Sequence, residues 1–176
     1  MKEKFVWYAC YGSNICEDRF LCYIDGIERE ICGIKIKNNG CTNIKKPIEN
    51  KVYEFKHNIY FDKKSNKWGK KGVAFIDLEH EGFAYGRIYK ITEEQFSQIR
   101  CQEGRGLSWY GYPQNDFTDP IDEVDGIKVY TFTQKNNNGS RNMPSDEYKA
   151  VIIKGLMEIG LTKSIAIKYL DLCEKQ

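Results

Sequence analysis

The sequence has no Cys-x-x-Cys pair, although it carries seven cysteines: Cys10, Cys16, Cys22, Cys32, Cys41, Cys101 and Cys173. Zinc sites are built from tightly spaced ligand pairs, and the two histidines, His57 and His80, lie far apart, so no metal site is expected. An odd number of cysteines without a secretion signal points to reduced thiols in the cytosol, buried as small apolar side chains. Long apolar runs are missing too. Phe5-Val6-Trp7-Tyr8-Ala9-Cys10 is too short for a signal-peptide core, and nothing approaches the ~20 residues of a transmembrane helix. The expectation is a cytoplasmic chain with no membrane partner.

Charge of one sign is also scarce. Bases and acids are interspersed and the net charge is +2, which leaves no field for nucleic acid or anionic lipid. The local exception is Lys63, Lys64, Lys67, Lys70 and Lys71 around Trp68, which could stack a base but reads better as a solvated hairpin tip. Neither Gly-x-Ser-x-Gly nor a phosphate-binding loop occurs, and a cysteine hydrolase using Cys10 or Cys16 with His57 has nothing to place the pair together. No internal repeat or linker divides the chain, so residues 1–176 read as one domain.

What is present is a globular composition, 41% hydrophobic and 30% charged, with twelve Tyr and nine Phe. Tyrosine gives a concave site a flat apolar wall with a polar tip. Phe5 to Tyr11 reads as a central strand, broken by Gly12-Ser13. A helix should follow, with Asn14 as N-cap, Glu17 completing a capping box and Gly26 as its stop. Residues 27–50 read as loop with one short strand at 34–37. Further strands are expected at 52–56, 58–61, 73–78 and 83–91, the last with small residues Ala84 and Gly86 on its crowded face. A second helix begins at Thr92, boxed by Gln95, and stops at Gly104. Strands near Trp109–Tyr110 and at 127–133 follow, separated by an irregular loop. A third helix starts at Ser145, and a last one covers 163–173. The pattern is α+β, one curved sheet with three or four helices.

Two places could carry chemistry. Tyr11-Gly12-Ser13-Asn14 lies where a strand meets a helix, and the first N–H groups of a helix bind carboxylates or oxyanions. It is equally an ordinary turn sequence, and both readings stand. Glu103 ends the second helix, where partial negative charge favours the protonated carboxyl, as a general base near neutral pH needs. An exposed glutamate at a helix end is the competing reading.

These stretches resemble the γ-glutamyl cyclotransferases. The carriers, in order, are Tyr11-Gly12-Ser13-Asn14 after an aromatic strand, Gly72-Val73-Ala74-Phe75-Ile76, Glu103-Gly104 after a helix, and Pro144-Ser145-x-x-Tyr148 opening a late one. The resemblance covers nearly the whole chain and points to a bacterial-type branch. Ile15 stands where Leu is commoner, and residues 22–50 are longer than in compact members.

The resemblance implies a small mixed β-barrel with flanking helices. It implies Glu103 as catalytic acid/base, Tyr110, Tyr148 and Tyr130 as aromatic site residues, and Tyr11, Gly12, Ser13, Asn14 and Ile15 as the loop holding the γ-glutamyl group. The reaction would be cyclisation of a γ-glutamyl compound to 5-oxoproline with release of an amine or amino acid, needing no metal or organic cofactor. The alternative is a protein that binds a small molecule in the same pocket without turning it over.

Overall fold

The computed structural model describes residues 2–103, 109–113 and 115–176. Its framework is a curled five-stranded half-barrel with β1 (Phe5–Cys10) at the centre. β1 pairs antiparallel with β7 (Ala84–Thr92) and parallel with β9 (Ile127–Tyr130). Antiparallel β4 (Glu49–Phe55) and β8 (Asp122–Val124) form the edges, beside β7 and β9 respectively. Two hairpins stand apart: β2 (Arg29–Ile31) with β3 (Ile34–Ile36), and β5 (Ile59–Ser65) with β6 (Lys71–Ile76). The second joins the end of β9 through Thr133, whose hydroxyl donates to Ile76 O at 2.6 Å.

β1 is central because five of its six residues are buried, so both of its faces need cover. Helix α2 (Glu93–Gln102) packs on β1 and β7. Its capping box forms as expected: Thr92 Oγ1 accepts from Gln95 N–H, and Gln95 Oε1 accepts from Thr92 N–H, each at 3.1 Å. The helix ends with Glu103 as an extended C-cap residue, and the expected stop at Gly104 lies outside the described residues. Helices α3 (Asp146–Glu158), capped by Ser145, and α4 (Lys163–Cys173), capped by Thr162, close the other side.

The start of the first helix differs from expectation. Ser13–Ile15 form a 3-10 turn, and α1 (Glu17–Asp25) begins after it with Cys16 at the N-cap and no side-chain cap. Its first N–H is satisfied from a distance, Glu17 N donating to Glu158 Oε2 of α3 at 2.9 Å. That frees Asn14 from local capping. Gly26 does end α1, with φ of 68°.

Three further departures have simple causes. In residues 27–50 the strand expected at 34–37 is β3, but it pairs with a second short strand, β2, and β4 starts three residues earlier than expected, the mixed charge hiding both. β8 stands where a loop was expected, and Trp109–Tyr110 form no strand. Of the cysteines, all free, Cys32 and Cys101 are exposed rather than buried.

Candidate active site

β1 runs out at Cys10 and delivers Tyr11–Asn14 over the end of the sheet, where three supports fix the loop. From below, Tyr89 of β7 donates its hydroxyl to Asn14 O at 3.0 Å, with its ring stacked on Phe20 at 3.9 Å. Arg87, two residues earlier on the same strand, donates to Ile15 O at 3.0 Å and to Glu158 at 2.8 Å. From the side, α3 presses on the turn at Gly155. A Cβ there would stand 2.4 Å from Cys16 N and 2.7 Å from Ile15 C. Only glycine lets the helix come this close.

The fixed loop aims Asn14 inward. Its Nδ2 donates to Glu103 Oε1 at 2.7 Å and to Tyr8 Oη at 3.2 Å. An ionised carboxylate only accepts, so the amide nitrogen must face Glu103. Asn14 Oδ1 is then left buried with no partner among the described residues. A bare acceptor beside a carboxylate is a seat for a donor with several N–H groups, such as an ammonium.

Around this pair lies a recess of about 50 Å³, lined by Tyr8, Tyr11, Gly12, Ser13, Tyr110 and Tyr148 among others. Gly12 is required here: a Cβ would meet the Tyr148 hydroxyl at 2.8 Å. That hydroxyl accepts from Ala74 N–H of β6 at 3.0 Å. Burial, more than the Glu103 charge, pushes its pKa up to about 12, while the Ala74 bond pulls the other way. Burial likewise holds Tyr8, Tyr11 and Tyr110 well above the usual phenol range, with Glu103 adding to the rise. At neutral pH the walls are therefore uncharged.

The recess opens into an outer cavity of about 570 Å³, which shares Ser13, Glu103, Tyr110 and Tyr148 with it. Arg19 and Tyr23 of α1, Trp109, and Lys63–Trp68 line the rest. The lysine-rich segment is the solvated tip of the β5–β6 hairpin expected from sequence, and its inner side is also a wall of the cavity. Trp68 is buried against Tyr148, ring centroids 4.9 Å apart. The sequence signal was the tryptophan itself, a large apolar side chain amid lysines that needs something to cover it.

Of the residues expected in the site, Glu103, Tyr11, Gly12, Ser13, Asn14, Tyr110 and Tyr148 line one continuous space. Ile15 and Tyr130 line neither part of it. Ile15 is fully buried behind the loop, and Tyr130 packs against Phe96 and Phe117 with its hydroxyl donating to Phe117 O. Sequence order could not show this, because Tyr130 points to the α2 side of the sheet. The cysteines also stand away from nucleophilic duty. Burial pushes the Cys10 thiol well up and Cys16 up to about 11, opposite to an activated thiolate.

One group brings three possible metal ligands together among the described residues: Asp77, Glu79 and His80, within 4.8 Å of one another. Internal bonds account for it. Asp77 accepts from Glu79 N–H at 3.0 Å and Asn137 Nδ2 at 2.9 Å, and meets His80 Nδ1 at 3.0 Å. No helix among the described residues is long and apolar enough to cross a membrane.

Comparison with known proteins gives a consistent fold. No family model matches the chain. It is 38% identical over 106 residues, 56% of its length, to histone deacetylase 5 of Arabidopsis thaliana, and the match spans 15% of that relative. Most of the relative therefore lies outside what the two share. Among solved structures, a γ-glutamyl cyclotransferase superposes with a TM-score of 0.64 at 18% identity, over 95% of this chain and 87% of the other. An uncharacterized protein from Homo sapiens gives 0.60, also at 18% identity, over 96% and 88%. The curled half-barrel with its four helices is the γ-glutamyl cyclotransferase-like fold.

Proposed function

We propose that the chain is a γ-glutamyl cyclotransferase-type enzyme, converting a γ-glutamyl compound to 5-oxoproline and a free amine or amino acid. The observation that carries this reading is the Asn14–Glu103 pair, a carboxylate and a bare amide oxygen side by side on the floor of a tyrosine-walled recess. Such a pair suits the substrate's α-ammonium: Glu103 takes one proton and Asn14 Oδ1 accepts from another N–H. The freed amine then attacks the substrate's own side-chain carbonyl carbon. The C–N bond forms, the carbonyl electrons move onto oxygen, and a five-membered ring closes. Glu103 gives its proton to the departing nitrogen and takes the second proton from the ring nitrogen. As the tetrahedral centre collapses, the bond to the departing nitrogen breaks and that second proton follows, so the amine leaves as an ammonium.

Ring closure is unimolecular, so the protein's task is to hold a near-attack conformer and move two protons from the attacking to the departing nitrogen. Backbone N–H groups of the Gly12–Asn14 turn suit the substrate carboxylate or the oxyanion. The neutral tyrosines shield the amine from water, which favours the uncharged nucleophile. Every step is covered by this chain's own side chains and backbone.

The test is a panel of γ-glutamyl amino acids, γ-glutamyl amines and glutathione, assayed for 5-oxoproline. Release from at least one member, abolished when the α-amine is acetylated, is expected. Tight binding across the panel without release would assign the pocket to sequestration.

A further inference from the structure

Among the described residues three arginines are buried to less than a tenth exposure: Arg19, Arg87 and Arg100. Two are neutralised, Arg87 by Glu158 at 2.8 Å and Arg100 by Asp116 at 2.6 Å. Arg19, 2% exposed, has no carboxylate within ion-pair distance, and every Asp and Glu of the chain lies among the described residues. Its guanidinium donates to two neutral oxygens, Asn38 Oδ1 at 2.7 Å and Tyr23 Oη at 2.5 Å. Its Nε–H is buried with no partner among the described residues. A buried cation left without a counter-charge is costly, and a fold that orients one so firmly provides for an anion.

Lys67 stands beside it. The two cations share the Tyr23 ring, with Arg19 Cζ 4.2 Å and Lys67 Nζ 5.9 Å from its centroid. Lys67 also has no carboxylate partner among the described residues, and both line the outer cavity. Desolvation first, then the Arg19 charge, push the Lys67 ammonium down to about 8. Solvent still reaches the side chain at the mouth and absorbs part of that penalty, so the direction is what counts: an anion between the two would relieve it.

Neither residue lines the inner recess. This placement separates two possible carboxylates. The substrate's α-carboxylate sits on the same carbon as the α-amine and must stay near Asn14 and Glu103. The outer cavity receives the other end of the molecule.

Resting on the cyclotransferase reading above, we propose that Arg19 and Lys67 form an anion subsite for a carboxylate carried by the departing amine, which selects γ-glutamyl amino acids or peptides over γ-glutamyl amines. Arginine offers a planar fork to the carboxylate and lysine a point charge at the mouth.

The probes are γ-L-glutamyl-L-alanine and its C-terminal amide, which differ only in the distal charge. Calorimetry on the Glu103→Gln protein, where turnover is blocked, should show the acid bound at least tenfold more tightly than the amide. Lys67→Met, a change at the cavity mouth that spares the core, should cut that ratio at least threefold in the same background and leave amide binding unaltered. Arg19→Lys should cut it as well, and Lys67→Met keeps the test open if that variant does not fold. Equal binding of the two compounds, binding of neither, or a ratio unmoved by Lys67→Met would overturn the subsite. Turnover by the wild type is read separately. An acid preference in binding without 5-oxoproline release would sink the proposed reaction and leave the subsite standing. Release from acid and amide with equal kcat/KM would do the reverse.

Discussion

Asn14 joins the loop to the carboxylate, and its neighbours decide what each atom of its amide can do. With Nδ2 committed to Glu103 at 2.7 Å, Asn14→Leu keeps the size and removes both the orienting donor and the bare acceptor. A hydrogen bond to a charged group is worth about 1.5–3 kcal/mol, so kcat/KM should fall roughly 10- to 150-fold. Wild-type kcat/KM in this variant would mean that Glu103 is oriented by something else. Tyr148 carries a different load. Its hydroxyl is the acceptor for Ala74 N–H, so Tyr148→Phe should strand a buried donor and cost about 1–3 kcal/mol, read as a lower urea midpoint. An unchanged midpoint would remove that bond from the account. The family pattern marks Tyr148 as a site residue, but no sequence signal reveals its backbone partner, 74 positions away. Tyr130 shows the converse. It shares the family's residue type and order, yet the sheet turns it toward Phe96 and away from the recess.

At the scale of elements, local chemistry was legible and long-range chemistry was not. The capping box of α2, the Ser145 cap of α3 and the bounds of α4 follow from neighbouring residues and stand as read. The start of α1 does not, because its cap arrives from Glu158, 141 positions later. β3 answers to the short strand expected at 34–37, but β8 and β2 escaped notice because three-residue strands carry too little alternation to register. The lysine segment was legible as a hairpin tip but not as a cavity wall, because Trp68 meets its cover, Tyr148, only through the tertiary fold. The packing of α3 on the Tyr11–Ile15 loop depends on one missing methyl. Gly155→Ala would drive a Cβ into the backbone of Ile15 and Cys16, at 2.7 and 2.4 Å, where nothing flexible can give way. Overpacking of this kind costs about 1–3 kcal/mol, and because the loop must move, KM should rise together with the loss of stability. Met157→Ala, at an exposed position on the same helix, is the control and should shift stability by about 0.5 kcal/mol or less. Parity between the two variants would mean that α3 does not set the loop.

The whole molecule buries an unusual number of weak acids, which gives its stability a pH dependence of known sign. Burial holds Cys16, Cys41 and Cys173 up to about 11 in the folded protein, against 9.0 for an ordinary thiol. Tyr8, Tyr11, Tyr89, Tyr110 and Tyr169 lie well above the usual 10.0. Raised acids stabilise the fold fully below the unfolded value, and that contribution drains away as pH rises through the folded one. The urea midpoint should therefore fall between pH 9 and pH 11, and a flat midpoint across that window would show these side chains to be solvated. The same burial keeps the recess walls neutral around Glu103, where the central claim lies. Single-turnover release of 5-oxoproline from the best γ-glutamyl substrate, compared between wild type and Glu103→Gln, tests that claim most directly. Gln keeps the shape but accepts no proton at neutral pH. The account predicts that the substrate still binds by calorimetry, weakened by the lost charge opposite its ammonium, and that the chemical step slows by about 10²–10⁴-fold. A Glu103→Gln protein that releases 5-oxoproline at near the wild-type rate would contradict it.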